Sequence, residues 1–181
     1  MAETSSRGAA RFEGFAAVAR VATRRPGSAS PKIATAAAGR LQVKKYLLDT
    51  NVVSELQKPR PHGAVVAWLS ELREEQIFVS AVTIGELQAG VERVRGQDPS
   101  KAQAIEAWVD QLARSLNVLP MDGLCFREWG RLIRRQPDHV IEDMMIAATA
   151  RVHNLIVATR NERDFSLVKI DIVNPFKPFR A

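Results

Sequence analysis

Between residues 46 and 173 the chain alternates short apolar runs with longer stretches of helical periodicity, and this alternation restricts the fold more than any other feature. Tyr46-Leu47-Leu48 runs without a polar break into Asp49, the pattern of a buried strand. Ile77-Phe78-Val79, Val118-Leu119, Leu155 to Ala158 and Ile170-Asp171-Ile172-Val173 read as further strands. Between them, Gly63 to Leu72 carries Val65, Val66, Leu69 and Leu72 at helical spacing, and Thr83 to Arg95 places Leu87, Val91 and Val94 on one stripe. Asp98-Pro99 opens a helix whose core face is Ile105, Trp108, Val109 and Leu112. Leu124 to Arg135 and Val140 to His153 supply two more. Strands separated by helices predict an α/β layer fold around a largely parallel sheet. Sites in such sheets form beyond the carboxyl ends of the strands, which is where Asp49 falls.

A length of 181 residues gives one domain a real core with a modest appendage. Composition places the appendage at the start. Residues 1–43 are rich in Ala, Ser, Gly and Arg, are interrupted at Arg24-Arg25-Pro26-Gly27, and read as a disordered extension preceding a domain at 44–181. Their Arg- and Ser-rich, acid-poor character also fits a transit peptide, although no secretory apolar stretch is present. Val43 stands directly before Lys44-Lys45-Tyr46, so a GTG codon there would offer an alternative start. The net charge of +6 suggests nucleic-acid binding only until it is divided. Seven basic and two acidic residues lie in 1–43, leaving 19 basic against 18 acidic in the remaining 138. Affinity for a polyanion must therefore come from local patches of a nearly neutral body. No apolar run approaches the roughly 20 residues of a membrane span. One cysteine, Cys125, cannot form an internal disulfide, and no Cys/His spacing suits zinc, so the expected compartment is the cytoplasm.

Acidic residues in apolar surroundings carry the chemistry. Asp143 lies in Val140-Ile141-Glu142-Asp143-Met144-Met145-Ile146-Ala147-Ala148, apolar on nearly every side. An unpaired carboxylate there costs several kcal/mol, so it meets a cation, takes a proton, or serves as an N-terminal-turn acid beside an exposed Glu142. Glu86 shares a helix face with Val82, Ala89 and Gly90, and its i+4 neighbour is no base. Asp49 ends a buried strand and is followed by Thr50-Asn51, which also fits a capping aspartate. Asp164 follows a later strand in Thr159-Arg160-Asn161-Glu162-Arg163-Asp164, a sequence equally suited to a polar turn. Carboxylates converging at an open sheet end would repel one another. Mg²⁺ or Mn²⁺ relieves that repulsion, prefers oxygen ligands, and can activate water for phosphodiester displacement. His62, His139 and His153 read as surface residues, and Cys125 as a packing residue without a histidine partner.

Taken together, Tyr46 to Glu55, Ser80 to Leu87, Asp143 to Ala150, Leu155 to Asn161 and Asn174-Pro175-Phe176 resemble the PIN-domain family, within it the VapC and FitB toxin ribonucleases. The resemblance implies a three-layer fold and an Mg²⁺ held by Asp49, Glu86 and Asp143, with Mn²⁺ an alternative. A fourth acid is implied at Asn161 or Asp164, of which Asp164 is the carboxylate here. It implies supporting roles for Thr50 and Thr159, and a phosphate contact or a structural role for Arg160. It further implies endonucleolytic cleavage of RNA, neutralisation by a cognate antitoxin, and a homodimer using helices near Trp68 or Trp108 unless these pack in the core. Two alternatives compete. Asp49-Thr50-Asn51 superficially matches the strand-end nucleophile of haloacid-dehalogenase-type phosphatases, but Asn51 stands where that family has a second acid. A PIN-like domain retained only for binding RNA or an antitoxin is the other.

Overall fold

Helix starts in this chain are set by side chains that end one element and cap the next. The computed structural model describes residues 43–134 and 136–177. In chain order they form β1 (Tyr46–Leu48), α1 (Thr50–Glu55), α2 (Gly63–Ser70), β2 (Ile77–Ser80), α3 (Ala81–Arg95) and α4 (Pro99–Ser115). β3 (Asn117–Leu119), α5 (Gly123–Leu132), α6 (Ile141–His153), β4 (Ile156–Ala158), α7 (Glu162–Phe165) and β5 (Ile172–Val173) complete them. Ser80 Oγ accepts from Val82 N at 3.2 Å, so α3 begins at Ala81, before the expected Thr83. Asp98 Oδ1 accepts from Lys101 N at 2.9 Å ahead of Pro99, as its spacing predicts. Asp122 Oδ1 takes the N–H groups of Leu124 and Cys125 at 3.0 and 2.9 Å and starts α5 at Gly123.

The sheet has the order β3-β2-β1-β4-β5, and every pairing is parallel. Register aligns Leu48 with Val79 on one side and Ala158 on the other. The residues just past these positions, Asp49, Ser80 and Thr159, therefore reach the same edge. The strand order reverses direction at β1 and β4, and the crevice beyond such a switch is where open α/β sheets bind ligands.

Alternation along the strands sends core side chains to both faces. Leu48, Val79 and Ala158 join Val52, Val53, Leu56, Val65, Trp68, Leu69 and Leu112 on one face. Leu47 and Val157 join Val140, Met144, Ile146, Ala147, Ala150 and Phe165 on the other. Helices thus cover the sheet on both sides, giving three layers. Trp68 is 5% exposed and meets Tyr46 edge-on at 5.1 Å, so it is a core residue and unavailable as a surface contact. Trp108 is half-buried between α3, α4 and the first core.

Several boundaries differ from the sequence reading for local reasons. α2 stops at Ser70, where the Ser70 hydroxyl donates back to the Ala67 carbonyl. The final strand is shorter than expected because Ile170 N donates to Val168 O in a turn. The polar stretch after β4 is not a plain turn: Glu162–Phe165 makes one helical turn, pinned by a fully buried Phe165. The extension read in residues 1–43 lies, apart from Val43, outside the described residues.

Phe165 anchors the turn that carries Asp164. Phe165→Ala is expected to lower unfolding free energy by about 3–5 kcal/mol, measured by urea denaturation; a loss below about 1 kcal/mol would contradict this packing.

Candidate active site

Asp49 is the innermost acid. It stands at the end of β1, 3% exposed, with both carboxylate oxygens engaged by neutral donors. Thr50 N donates to Oδ1 at 2.6 Å, and Thr159 Oγ donates to Oδ2 at 2.6 Å. Asn51 Nδ2 also donates to Oδ2. The same Asn51 binds the strand across the switch point, its Oδ1 accepting from Arg160 N at 3.0 Å. Burial pushes the Asp49 carboxyl above its ordinary range, against the opposing pull of the Thr159, Thr50 and Asn51 donors.

Glu86 comes from the second turn of α3 and is tied to the same frame, because Thr50 Oγ donates to its Oε2 at 2.5 Å. Its carboxyl is raised by burial, lowered by the Thr50 hydroxyl, and raised again by the charges of Asp49 and Glu142. Asp143 enters from the first turn of α6, and Asp164 from α7. Asn161 joins them: its Nδ2 donates to Asp143 Oδ2 at 3.2 Å and to Asp164 Oδ2 at 2.6 Å. Its own N–H donates to Thr159 Oγ at 2.8 Å, which closes the frame back to Asp49.

Asp143 shows the electrostatic consequence most strongly. Its carboxyl is pushed up to about 7, first by burial and then by Asp49, Asp164, Glu86 and Glu142. Among the described residues no Lys, Arg or His forms an ion pair with Asp49, Glu86, Asp143 or Asp164. Nor do any three His, Cys, Asp or Glu side chains close into a ligand cluster by themselves. Acids that repel, with no protein cation between them, do not collapse onto a common point. An oxygen-only set of separated carboxylates suits a hard divalent ion that keeps several waters, and the residues present fit that group.

The four sequence-predicted acids therefore lie near one another, close enough for Asp49, Asp164 and Glu86 to act on Asp143, with Thr50 and Thr159 bonded to them. Asn161 and Asp164 were alternatives for a fourth position, yet both are present and bonded to each other. The sequence reading missed Glu142, an exposed acid whose charge still reaches Asp143 and Glu86, and the bridging role of Asn51. Glu142 was legible only as the neighbour of Asp143; a bridge from Asn51 to residue 160 leaves no local signal. His62, His139 and His153 are exposed and Cys125 is buried, as expected.

Comparison with known proteins gives the family. Residues 46–171 match the family model for the PIN domain. The chain is 35% identical over 143 residues to VapC ribonuclease Y4jK of Sinorhizobium fredii, an alignment covering 73% of this chain and 98% of that one. It is 34% identical to Toxin FitB of Neisseria gonorrhoeae, over 72% of this chain and 97% of the toxin. Among solved structures, FitAB bound to an IR36 DNA fragment superposes with a TM-score of 0.66 at 30% identity, covering 75% and 98% of the two chains. The chain belongs to the PIN domain family. Within that family it is VapC-like, of the toxin type that includes FitB. The phosphatase alternative falls with this assignment.

Because its folded-state carboxyl sits near 7 and its ordinary value is 3.8, Asp143 holds a proton in the folded chain that the unfolded chain has lost. Its contribution to stability is fully present below about pH 4 and disappears as pH rises through about 7. In EDTA, Asp143→Asn should therefore stabilise the protein relative to wild type, with the gain growing between about pH 5 and 8. It should reach the order of 1 kcal/mol once solvent screening of this half-open site is allowed for. Urea denaturation at the two pH values checks this; a variant equally destabilised at both would contradict it.

Proposed function

We propose that this chain is a divalent-metal-dependent endoribonuclease, the toxin of a toxin–antitoxin pair, cutting RNA phosphodiester bonds at the acidic site. One observation carries the reading: Asp49, Glu86 and Asp164 gather near Asp143, which burial first and then their charges push up to about 7, and among the described residues no Lys, Arg or His forms an ion pair with any of the four. A site built this way is costly to the apo fold and finds its relief in a bound cation.

Asp49, Glu86 and Asp143 would hold Mg²⁺, or Mn²⁺ in its place, with Asp164 as the fourth acid. When bound, such an ion supplies charge neutralisation at the phosphodiester and a more acidic attacking water. The chain's own groups do the positioning. Thr159 and the Thr50 backbone fix both oxygens of Asp49, and the Thr50 hydroxyl fixes Glu86. Asn161 sets the separation of Asp143 from Asp164, which leaves Asp164 free on its other oxygen to orient a water. Pinned acids of this kind require little reorganisation as charge develops on the substrate.

The relatives support the substrate and partner classes. The name VapC ribonuclease supports RNA as substrate, and the solved FitAB complex supports a protein partner that acts as antitoxin. A homodimer, cytoplasmic location and Mg²⁺ as the physiological ion belong to the same proposal. No helix among the described residues is long and apolar enough to cross a membrane.

Asp49→Asn and Asp143→Asn should each reduce RNA cleavage at least about 100-fold while the circular dichroism spectrum is kept, and EDTA should abolish wild-type cleavage until Mg²⁺ is restored. Thr159→Val should cost about 10–100-fold by loosening Asp49. Undiminished cleavage by clean protein in EDTA would overturn the mechanism.

A further inference from the structure

We propose that His62, Phe176 and Arg160 form a nucleotide-binding subsite beside the acidic centre, one that takes an unpaired base and its phosphate from single-stranded RNA. This rests on the nuclease reading for its substrate class. The three side chains come from distant parts of the chain and meet at the carboxyl end of the sheet. Arg160 Cζ lies 5.2 Å from the centroid of the Phe176 ring. The His62 ring stands 5.5 Å from the same centroid on its own approach, tilted by 56°.

Each of the three is held by a hydrogen bond from its own backbone N–H. Arg160 N donates to Asn51 Oδ1, Phe176 N to Asn174 Oδ1, and His62 N to Glu55 Oε1, each at 3.0 Å. The anchors are themselves fixed. Glu55 is 6% exposed and paired with Lys58, and Asn174 Nδ2 donates to Glu162 Oε1 at 2.6 Å. Arg160 and His62 are nevertheless exposed, and Phe176 is half-buried. A stack required only for stability would bury the imidazole and the guanidinium along with the Phe176 ring. Here Phe176 packs against the first core as a fixed floor, while the exposed imidazole of His62 and guanidinium of Arg160 border it.

Charge and position identify the occupant. Arg160 directly follows Thr159, whose hydroxyl holds Asp49, so this cation stands beside the group of acids. Among the described residues it has no carboxylate partner. A guanidinium binds phosphate as a rigid fork, and unpaired bases stack on aromatic, imidazole and guanidinium planes. The domain beyond residue 43 is nearly neutral, so a polyanion approaching these acids needs a fixed cation close by. A single-stranded nucleotide satisfies all three groups together. A base-paired one cannot offer a free face.

The test uses full-length Asp143→Asn protein in EDTA with an unstructured RNA of about 12 nucleotides carrying a central 2-aminopurine. Binding should quench its fluorescence through stacking. Adding His62→Ala or Phe176→Leu should restore much of the emission and raise Kd about five- to tenfold. Arg160→Gln should raise Kd similarly and reduce the salt dependence by about one counterion. His62 is exposed, so the His62→Ala result stands even if Phe176→Leu folds poorly. Quenching and Kd within twofold of the parent in the His62→Ala and Arg160→Gln proteins would overturn the subsite. Metal-dependent cleavage with unchanged KM in the same substitutions, made in the active chain, would overturn it while leaving the nuclease standing. Stack-dependent binding by a chain that never cleaves RNA would do the reverse. Unchanged RNA binding with loss of a co-expressed protein partner would make this a protein-docking face and also overturn the proposal.

Discussion

Negative charge gathered at one sheet edge governs this molecule. Two carboxylates about 4 Å apart repel by roughly 4 kcal/mol at an effective dielectric near 20, and folding must bring four acids from four elements into mutual reach. The protein tolerates this without importing a lysine or arginine among the described residues. Burial and then the neighbouring charges push Asp143 up to about 7, and burial is the main cause that raises Asp49 and Glu86. Buried acids left without a protein cation keep room for a different positive charge.

The rest of the structure is arranged to hold that crowding in place. A fully parallel sheet ends β1, β2 and β4 in register, so Asp49, Ser80 and Thr159 reach one edge together. Layers of apolar side chains on both faces stop the edge from splaying. Neutral donors then do the fine positioning. Thr159 and Asn51 join the ends of β1 and β4, Thr50 reaches to α3, and Asn161 spans α6 and α7. Neutral groups suit the task because they fix oxygens without cancelling the charge that a cation would use.

Much of this was legible in the sequence, and the limits have physical causes. Short apolar runs ending at Asp49, Ser80 and Thr159 announced the strands, since burial on both faces forbids polar interruption. Asp98-Pro99 announced a helix start because capping is a local property of a few residues. Asp143 stood out because an acid inside an apolar helix has few explanations. Glu86 did not stand out, since its meaning depends on a hydroxyl 36 residues earlier. α7 escaped because four residues cannot display a helical period, and Phe165 is buried for tertiary reasons. The choice between Asn161 and Asp164 was open for the same reason: only the fold reveals that one holds the other.

The central claim is that these acids form a single site for a divalent ion, and Mn²⁺ titration of the full chain at about pH 7 addresses it most directly. Calorimetry in two buffers of different ionisation enthalpy should show saturable binding to one class of site, accompanied by proton release as Asp143 gives up its proton. That binding should vanish when Asp49 and Asp143 are both replaced by Asn. Mn²⁺ binding unchanged in the doubly substituted chain, or no saturable binding to the wild type, would contradict the account.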